Sequence, residues 1–215
     1  SEIHTLSLKD LTSDVRDKFA NDIFKKDMDK LNKLIIVGAG GHGRCCLDIA
    51  REKYDEIIFL DDGLVDQTVN DCKVVGKINE MKALFPEYLD IFIAVGNNAF
   101  RKQLFNQAKE IGYNIITLVS NEATVSKYAT IKQGSVIFPH AVIEPNAKIG
   151  NNCIICANAT INHDAIIHDD CLIYSNTVIR PNVIINELTR IGSNCTITFG
   201  KEVEEGSDIK DGEVF

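Results

Sequence analysis

The sequence lacks the features of nucleic-acid-binding and membrane-spanning proteins. Its 23 Lys and Arg residues are outnumbered by 31 Asp and Glu residues, which gives a net charge of -8. Proteins that bind phosphate backbones usually carry a basic excess, so we expect no nucleic acid as a partner. No apolar run is long enough to cross a bilayer, and the first residues lack the basic and then apolar order of a signal peptide. These absences predict a cytoplasmic protein without a membrane span.

The cysteine pattern lacks the second pair that a zinc site requires. The chain contains seven cysteines, an odd number, and without an export signal we expect reduced thiols. Cys153 and Cys156 form a Cys-x-x-Cys pair, but no matching pair completes a metal site, so we predict no metal. Cys153, Cys171 and Cys195 share one position of the repeat described below, which favours small buried thiols.

Residues 1–32 have the apolar spacing of a helix. The apolar side chains recur three, four or eight positions apart, at Leu8, Leu11, Val15, Phe19, Ile23 and Leu31. Ser7 and Asp10 form a candidate capping box at its start. We interpret the segment as a helical extension that packs on the next domain or on a partner; the alternative is a remnant linker to a lost fusion partner.

Residues 33–120 alternate strand and helix signals, which is typical of a small α/β domain of the Rossmann-like, doubly wound type. Short apolar runs predict strands, and longer periodic stretches between them predict helices. The expected elements are a strand Leu34–Val37, a glycine loop and helix to about Lys53, a strand Glu56–Leu60, a helical stretch Ile78–Phe85, a strand Ile91–Val95, a helix Arg101–Ile111 and a strand Ile115–Val119.

Residues 121–215 repeat with a period of six. From Val125 to Ile209 every sixth residue is Val or Ile, over fifteen positions, and a small residue usually stands two positions earlier, with Lys201 the clear break. Neither a helix nor a simple strand has this period. A coil with three short faces does, with the aliphatic side chain pointing inward. Stacked turns then bury one another's apolar faces and form an all-β parallel β-helix of about five turns.

Three patches of the α/β segment lie where strands end, at Val37–Gly43, Phe59–Asp62 and Ala94–Asn98. Glycines let the backbone approach a ligand and present N–H groups to a phosphate at a helix N-terminus. Carboxylates at a strand end can accept hydrogen bonds from a ribose hydroxyl or a base N–H. The alternative is tight turns without a ligand, and NAD is disfavoured because no domain with hydride-transfer chemistry follows. The predicted substrate-binding residues are Gly38, Gly40, Gly41, His42, Asp61, Asp62, Gly96 and Asn97.

The hexads and the three patches, in this order and spacing, resemble the hexapeptide-repeat acyltransferases of the PglD/NeuD type over residues 33–215. The resemblance implies a left-handed parallel β-helix, an exception to right-handed crossovers. It also implies an acyltransferase that uses acetyl-CoA to modify nucleotide-linked amino sugars or sialic acids for surface glycans. Flat β-helix faces pack around a threefold axis in such enzymes, so we expect a homotrimer whose sites are shared between chains.

The resemblance places a catalytic His and a following acidic residue at His163 and Asp164. Aminolysis of a thioester requires an uncharged amine, and an imidazole can remove its proton in the transition state. An adjacent carboxylate orients the ring and stabilises the imidazolium. His140 and His168 also lie at non-core repeat positions. His42 is the second choice for the base, but we favour a role for it in lining the sugar-nucleotide pocket.

The donor half departs from the family pattern. Leu172 stands where the family has a second His near the acetyl-CoA thioester, and Asn176 stands where a Gly is expected; these two residues are the predicted acetyl-CoA contacts. The Gly-x-Pro-Ala-Lys-like segment of the family is not in this sequence. A different acyl group, weaker acetyl-CoA binding or loss of catalysis would each fit.

Three functions therefore stay open. The first is an acetyl-CoA-dependent N-acetyltransferase for a UDP-linked or other nucleotide-linked amino sugar. The second is an O-acetyltransferase for sialic acid or another sugar, since one base serves amines and alcohols. The third is a non-catalytic sugar-nucleotide-binding member with an altered donor site. We favour the first because the acceptor half matches the family throughout.

Overall fold

The structure is a computed structural model that describes residues 31–215. The predicted helical extension over residues 1–32 lies almost wholly outside the described residues, so its helix and capping box stay predictions. Residues Lys33–Phe215 cluster as one unit, which contains both the α/β segment and the repeat. Over the described residues, no helix combines the length and apolar character needed to span a membrane.

The α/β segment forms a six-stranded sheet with the order β3-β4-β2-β1-β5-β6. All neighbouring strands are parallel except β3 and β4, which form an antiparallel pair. The elements are β1 (Lys33–Val37), α1 (Gly41–Ala50), β2 (Glu56–Leu60), β3 (Thr68–Val69), β4 (Cys72–Gly76), a 3₁₀ helix (Ile78–Leu84), β5 (Asp90–Ile93), α2 (Asn98–Ile111) and β6 (Asn114–Ile115). Because β1 lies between β2 and β5, the loops after these three strands meet at one edge.

Alternate residues of β1 pack on opposite faces of this sheet. Ile35 and Val37 pack in a core with side chains of α2. Leu34 and Ile36 pack in a core that includes α1 and also Leu172, an outward residue of the repeat. The α/β domain is thus held against the β-helix through the face that carries α1.

The repeat forms a left-handed β-helix of two-residue strands, arranged in a six-stranded sheet and two five-stranded sheets. Strands that lie eighteen residues apart pair in parallel, as Ile137 does with Ile155. The strands β7 to β22 are Leu118–Val119, Thr124–Val125, Thr130–Ile131, Val136–Ile137, Val142–Ile143, Lys148–Ile149, Ile154–Ile155, Thr160–Ile161, Ile166–Ile167, Leu172–Ile173, Val178–Ile179, Ile184–Ile185, Arg190–Ile191, Thr196–Ile197, Glu202–Val203 and Asp208–Ile209. Their second residues form a continuous core with Cys153, Cys171 and Cys195, and all seven cysteines are free.

From Gly134 to Gly212 each corner of the β-helix places one residue in the left-handed conformation, so a turn of eighteen residues contains three. Asn or Asp occupies most of these positions, including Asn146, Asp164, Asn176 and Asn182, with φ between 58° and 63°. Gly tolerates this region because it has no Cβ atom, and Asn and Asp tolerate it because their short polar side chains can hydrogen-bond locally. Leu188 is a departure from the rule, with a φ of 60°.

The predicted single strand Ile115–Val119 is wrong. Asn114–Ile115 pairs with β5 in the α/β sheet, whereas Leu118–Val119 pairs with β10 in the β-helix. The apolar run has no Gly or Pro where the chain passes from one sheet to the other, so its sequence gives no break. The hexad register did contain the signal, because Val119 stands six residues before Val125.

Candidate active site

Gly38 is a glycine because the backbone leaves no room for a side chain. Its φ is +98°, and a Cβ atom on it would lie 2.7 Å from the carbonyl oxygen of Ala94. A Cβ atom on Gly43 would lie 1.9 Å from the carbonyl oxygen of Gly38. These two glycines therefore allow α1 to begin directly against the ends of β1 and β5.

Gly40, Gly41 and Gly96 face open space instead. A Cβ atom on Gly40 or Gly96 would meet nothing within 4 Å, and one on Gly41 would meet only the end of the Arg44 side chain at 3.9 Å. None of the three has a positive φ. Gly40 also begins α1 without a side-chain cap, so the N–H groups of the first turn face this space. An anionic group fits this space, because its charge suits the positive end of the helix dipole and its acceptor atoms can bind the free N–H groups.

Asp61 and Asp62 hold the loops that surround this space. Oδ2 of Asp61 accepts a hydrogen bond from the N–H of Ala39 at 2.8 Å, and Oδ1 accepts one from Gly63 at 2.9 Å. Oδ1 of Asp62 accepts one from the N–H of Ile78 at 3.0 Å. Each carboxylate keeps further acceptor capacity, and the exposed position of Asp62 leaves it open to a ligand.

Asn97 begins the second helix, since its Oδ1 accepts a hydrogen bond from the N–H of Phe100 at 2.9 Å. The next residue, Asn98, donates from Nδ2 to the carbonyls of Leu188 and Thr189 at 3.0 and 3.2 Å. The cap therefore orients the helix, and Asn98 attaches its first turn to a corner of the β-helix. Gly96 and Asn97 lie at this attachment.

His42 lies between α1 and the β-helix. Its ring makes an edge contact with Phe138 at 5.6 Å between centroids, and its Nε2 lies 3.8 Å from Sγ of Cys46. Burial, and then the charge of Arg101, lowers the pKa of His42 to about 4. His42 is therefore neutral near neutral pH, which makes it a hydrogen-bonding group rather than a cation at this junction.

Arg101 fastens the α/β domain to the β-helix, and the sequence reading missed this role. The side chain projects from α2 and only 1% of its surface is exposed. At 2.9 to 3.2 Å its guanidinium donates to Oδ1 of Asn98 and to the backbone carbonyls of Val95, Gly96, Asn152, Asp170 and Cys171. Burial lowers its pKa. Because its partners are mostly backbone atoms, they leave no side-chain pattern that a sequence could show.

A cleft of about 550 Å³ opens where the strand-end loop meets the six-stranded face of the β-helix. Its lining brings together Gly96 and Asn97, predicted for the acceptor, and Leu172, predicted for the donor. The far wall carries Arg190, whose guanidinium lies 4.8 Å from the Tyr174 ring centroid. Arg190 also donates to the Asp208 carboxylate at 2.7 Å. The other predicted acceptor residues do not line this cleft.

His163 and Asp164 form a pair on an exposed corner. Nδ1 of His163 lies 2.8 Å from Oδ2 of Asp164, and about half of each side chain is exposed. The N–H of His163 donates to the Glu144 carboxylate at 2.7 Å, which ties the corner to the preceding turn. Hydrogen bonds from His163 and then from Asn146 lower the pKa of Asp164 below its ordinary value. The carboxylate therefore stays ionised beside the imidazole.

One chain does not bring this pair to the glycine loop. His163 lies between Thr160–Ile161 and Ile166–Ile167, hence at the corner between the two five-stranded sheets. The α/β domain packs instead against the six-stranded sheet, which contains Leu172. In a triangular coil the corner between two faces lies opposite the third face. His163 thus lies on the far side of the coil from its own acceptor loops.

Leu172 and Asn176 differ in surroundings. Leu172 is 5% exposed and packs in the core shared with the α/β domain, while its remaining surface lines the cleft. Asn176 has a φ of 61° at an exposed corner, and its N–H donates to the carbonyl of Ala157 at 3.2 Å. The turn alone accounts for an Asn at this position, whereas Leu172 lines the cleft.

Family comparisons agree with this division of the chain. A model described as the PglD N-terminal domain matches residues 33–108. A model described as bacterial transferase hexapeptide (six repeats) matches residues 128–163 and 164–198. These ranges fall within the α/β domain and the β-helix, respectively.

Solved structures with the same two-part fold include enzymes from several bacteria. The acetyltransferase domain of PglB from Neisseria gonorrhoeae FA1090 is 34% identical, with a TM-score of 0.83 over 86% of this chain and 91% of that one. The same domain has been solved in complex with acetyl coenzyme A. PerB from Caulobacter crescentus, in complex with CoA and GDP-perosamine, is 20% identical with a TM-score of 0.72 over 86% and 94% of the two chains. At this identity the likeness to PerB shows the fold alone.

WeeI from Acinetobacter baumannii AYE shares the fold as well, at 22% identity and a TM-score of 0.78 over 85% of this chain and 90% of that one. The match to the gonococcal domain covers 86% of this chain, which is more than either the α/β domain or the β-helix alone. The chain therefore belongs to the PglD-type hexapeptide-repeat acyltransferases.

Proposed function

We propose that this chain is an acetyl-CoA-dependent N-acetyltransferase that acts on a nucleotide-linked amino sugar, with UDP as the nucleotide, in bacterial surface-glycan biosynthesis. The observation that carries the proposal is the His163–Asp164 pair, with 2.8 Å between Nδ1 and Oδ2 on an exposed corner. The related gonococcal domain, solved with acetyl coenzyme A, supports the choice of donor.

The pair can act as a general base. The contact with Asp164 selects the tautomer with a proton on Nδ1, so Nε2 keeps its lone pair for a proton of the sugar amine. The amine nitrogen attacks the thioester carbonyl as His163 takes that proton, and Asp164 stabilises the imidazolium. Collapse of the tetrahedral intermediate breaks the C–S bond, and the leaving thiolate takes the proton from Nε2.

The open edge of the α/β sheet supplies the acceptor site in this proposal. Gly40 and Gly41 leave space in front of the uncapped start of α1, where a diphosphate would meet N–H groups. Asp62 is exposed at the end of the neighbouring strand and would accept hydrogen bonds from the base or ribose. Gly96 and Asn97 would bound the sugar on the side of the cleft.

The active unit in this proposal is a homotrimer with sites between chains. His163 lies on the far side of the coil from its own acceptor loops, so a neighbouring chain has to supply the base. The outward residues of one five-stranded sheet form a flat, β-branched face that suits packing around a threefold axis; they are Thr124, Val142, Thr160, Val178 and Thr196.

Leu172 favours a second candidate, a sugar-nucleotide-binding member without acetyl transfer. Its side chain is apolar and mostly buried, so it offers no hydrogen bond to a thioester oxygen. Binding distinguishes the two functions. The catalytic proposal requires acetyl-CoA to bind, whereas the second candidate binds the sugar nucleotide and not acetyl-CoA.

The test of the proposed function is a turnover assay with acetyl-CoA and a panel of UDP- and GDP-linked amino sugars, with products identified by mass spectrometry. The proposal predicts one acetyl group added to a UDP-amino sugar, on nitrogen by NMR, with one CoA released per product. Acetylation of a hydroxyl would establish the O-acetyltransferase instead. Sugar-nucleotide binding without acetyl-CoA binding or turnover would establish the non-catalytic member.

A further inference from the structure

One buried guanidinium joins the acceptor edge to the β-helix. Nη1 of Arg101 donates to the carbonyl of Gly96, which adjoins Asn97 in the strand-end loop, at 3.1 Å. Nη2 donates to the carbonyl of Cys171, which adjoins Leu172 on the coil, at 3.2 Å. A single guanidinium thus bridges the strand-end loop and the coil, the two sides of the cleft, with one hydrogen bond to each of these two carbonyls.

The group is fully used by these contacts. Arginine has five N–H donors in a rigid plane, and the acceptors around Arg101 account for all of them. The side chain is 1% exposed, so it has no donor left for a substrate and no path to one. Any effect of Arg101 on catalysis therefore passes through the loops that it holds.

The neighbouring Lys102 crosses the same junction in a different way. Its ammonium lies 3.5 Å from the Asp170 carboxylate and 3.2 Å from that of Glu187, and it is partly exposed. Both of these ion-pair partners belong to the β-helix. Lys102 therefore binds α2 to the β-helix, whereas Arg101 also binds the Gly96 loop. Variants of these two adjacent residues can distinguish the two roles.

We propose that Arg101 is a positioning residue that fixes the acceptor-binding edge relative to the β-helix. The inference rests on the proposed function. His163 of one chain reaches the acceptor of another only through the packing of the β-helices, so the placement of each acceptor edge on its own coil decides whether the amine meets the base. Small misplacements of reacting groups are costly, about 100-fold in rate for 1 Å.

The test compares Arg101→Lys with Lys102→Gln in the full chain. Arg101→Lys keeps the charge but replaces five N–H donors in a planar fork with three on one nitrogen, so the six acceptors on the two sides of the junction can no longer all be satisfied. We expect kcat to fall about 10- to 100-fold, with Kd for acetyl-CoA and for the sugar nucleotide each within about threefold of wild type. Lys102→Gln is expected to keep kcat within about twofold, because a glutamine amide can still donate to the buried Asp170 carboxylate and the exposed ion pair with Glu187 contributes little.

Amide hydrogen exchange provides a readout independent of activity. We expect Arg101→Lys to speed exchange at residues 95–98 and 170–172 while the core strands of both domains stay protected, and Lys102→Gln to leave residues 95–98 unchanged. Unchanged kcat or unchanged exchange at residues 95–98 in Arg101→Lys would overturn the positioning role. A wild type without turnover refutes the proposed function, and the exchange result then decides the role of Arg101 alone.

Discussion

His163 and Leu172 lie on opposite sides of one turn of the β-helix. They are nine residues apart, half of the eighteen-residue turn that separates Ile155 from Ile173. Leu172 packs against the α/β domain, and His163 stands on the exposed corner with Asp164. In the trimer that we propose, a chain of this shape would present its base to one neighbour and its acceptor edge to another.

Removal of the imidazole is expected to abolish most turnover without affecting the fold. His163→Ala should lower kcat by about 100- to 10,000-fold, the usual contribution of a general base. The melting temperature should stay unchanged, because the side chain is outward and half exposed. The matched control is His168→Ala, an exposed histidine of the same coil, which should keep full activity. Full activity in His163→Ala would remove it from the mechanism.

Substitutions of two glycines in the first loop should have different effects, one on substrate binding and the other on stability. Gly40→Leu should fold normally, within about 1 kcal/mol of wild type, since its φ is ordinary and its Cβ meets nothing within 4 Å. It should nevertheless raise KM for the sugar nucleotide more than about tenfold by filling the phosphate space. KM for acetyl-CoA should not change.

The control is Gly38→Ala, whose Cβ would lie 2.7 Å from the Ala94 carbonyl oxygen at a φ of +98°. It should destabilise the fold by about 1–3 kcal/mol through strain and the close contact. Urea unfolding and steady-state kinetics measure both effects. A Gly40→Leu enzyme with unchanged KM would place the acceptor elsewhere.

The lowered pKa of His42 should make stability depend on pH. Its folded-state pKa of about 4 lies below the ordinary 6.5, so the unfolded chain takes up the proton first as the pH falls. The stability contributed by the neutral ring is full above the ordinary value and is lost as the pH falls from about 6.5 to about 4. Between about pH 7.5 and pH 5 the loss should be about 2 kcal/mol.

His42→Gln removes the titrating group while keeping a neutral polar side chain. The free energy of unfolding in urea should be measured at about pH 7.5 and about pH 5. Its fall between these pH values should be smaller in His42→Gln than in wild type by about 2 kcal/mol. The charge of Arg101 contributes to the shift, so Arg101→Lys should leave most of the dependence in place. An equal fall in wild type and His42→Gln would contradict the lowered pKa of the His42 ring.

The β-helix could be predicted because its core repeats every six residues without exception, and neighbouring turns supply most of its contacts. The Rossmann-like order of strands and helices could also be predicted from a local pattern, because the central strands of the sheet are short apolar runs. The break between Ile115 and Leu118 could not be read from hydrophobicity, because the two sheets share one apolar run. Only the register of Val119 with Val125 indicated it.

The contact between His163 and Asp164 was predictable because the two side chains are adjacent in the sequence, while their catalytic role stays a prediction. Arg101 was not predictable, because its acceptors are backbone carbonyls that any residue provides. Asn176 illustrates the opposite case, since a left-handed corner with φ of 61° explains an Asn without any ligand. A match to a family motif therefore supports a functional role more strongly at positions where the backbone conformation does not already favour that residue type.

Complementation between chains tests the central claim, that acetyl transfer uses His163 of one chain and the acceptor edge of another. His163→Ala and Gly40→Leu chains would be unfolded together, refolded as a mixture and assayed with acetyl-CoA and the sugar nucleotide. With the sugar nucleotide kept well below its wild-type KM, His163→Ala alone should be nearly inactive and Gly40→Leu alone should keep less than about a tenth of wild-type turnover. The mixture should regain about a quarter of wild-type turnover, the statistical share of intact sites in a mixed cyclic trimer. A mixture no more active than its components would contradict the shared site.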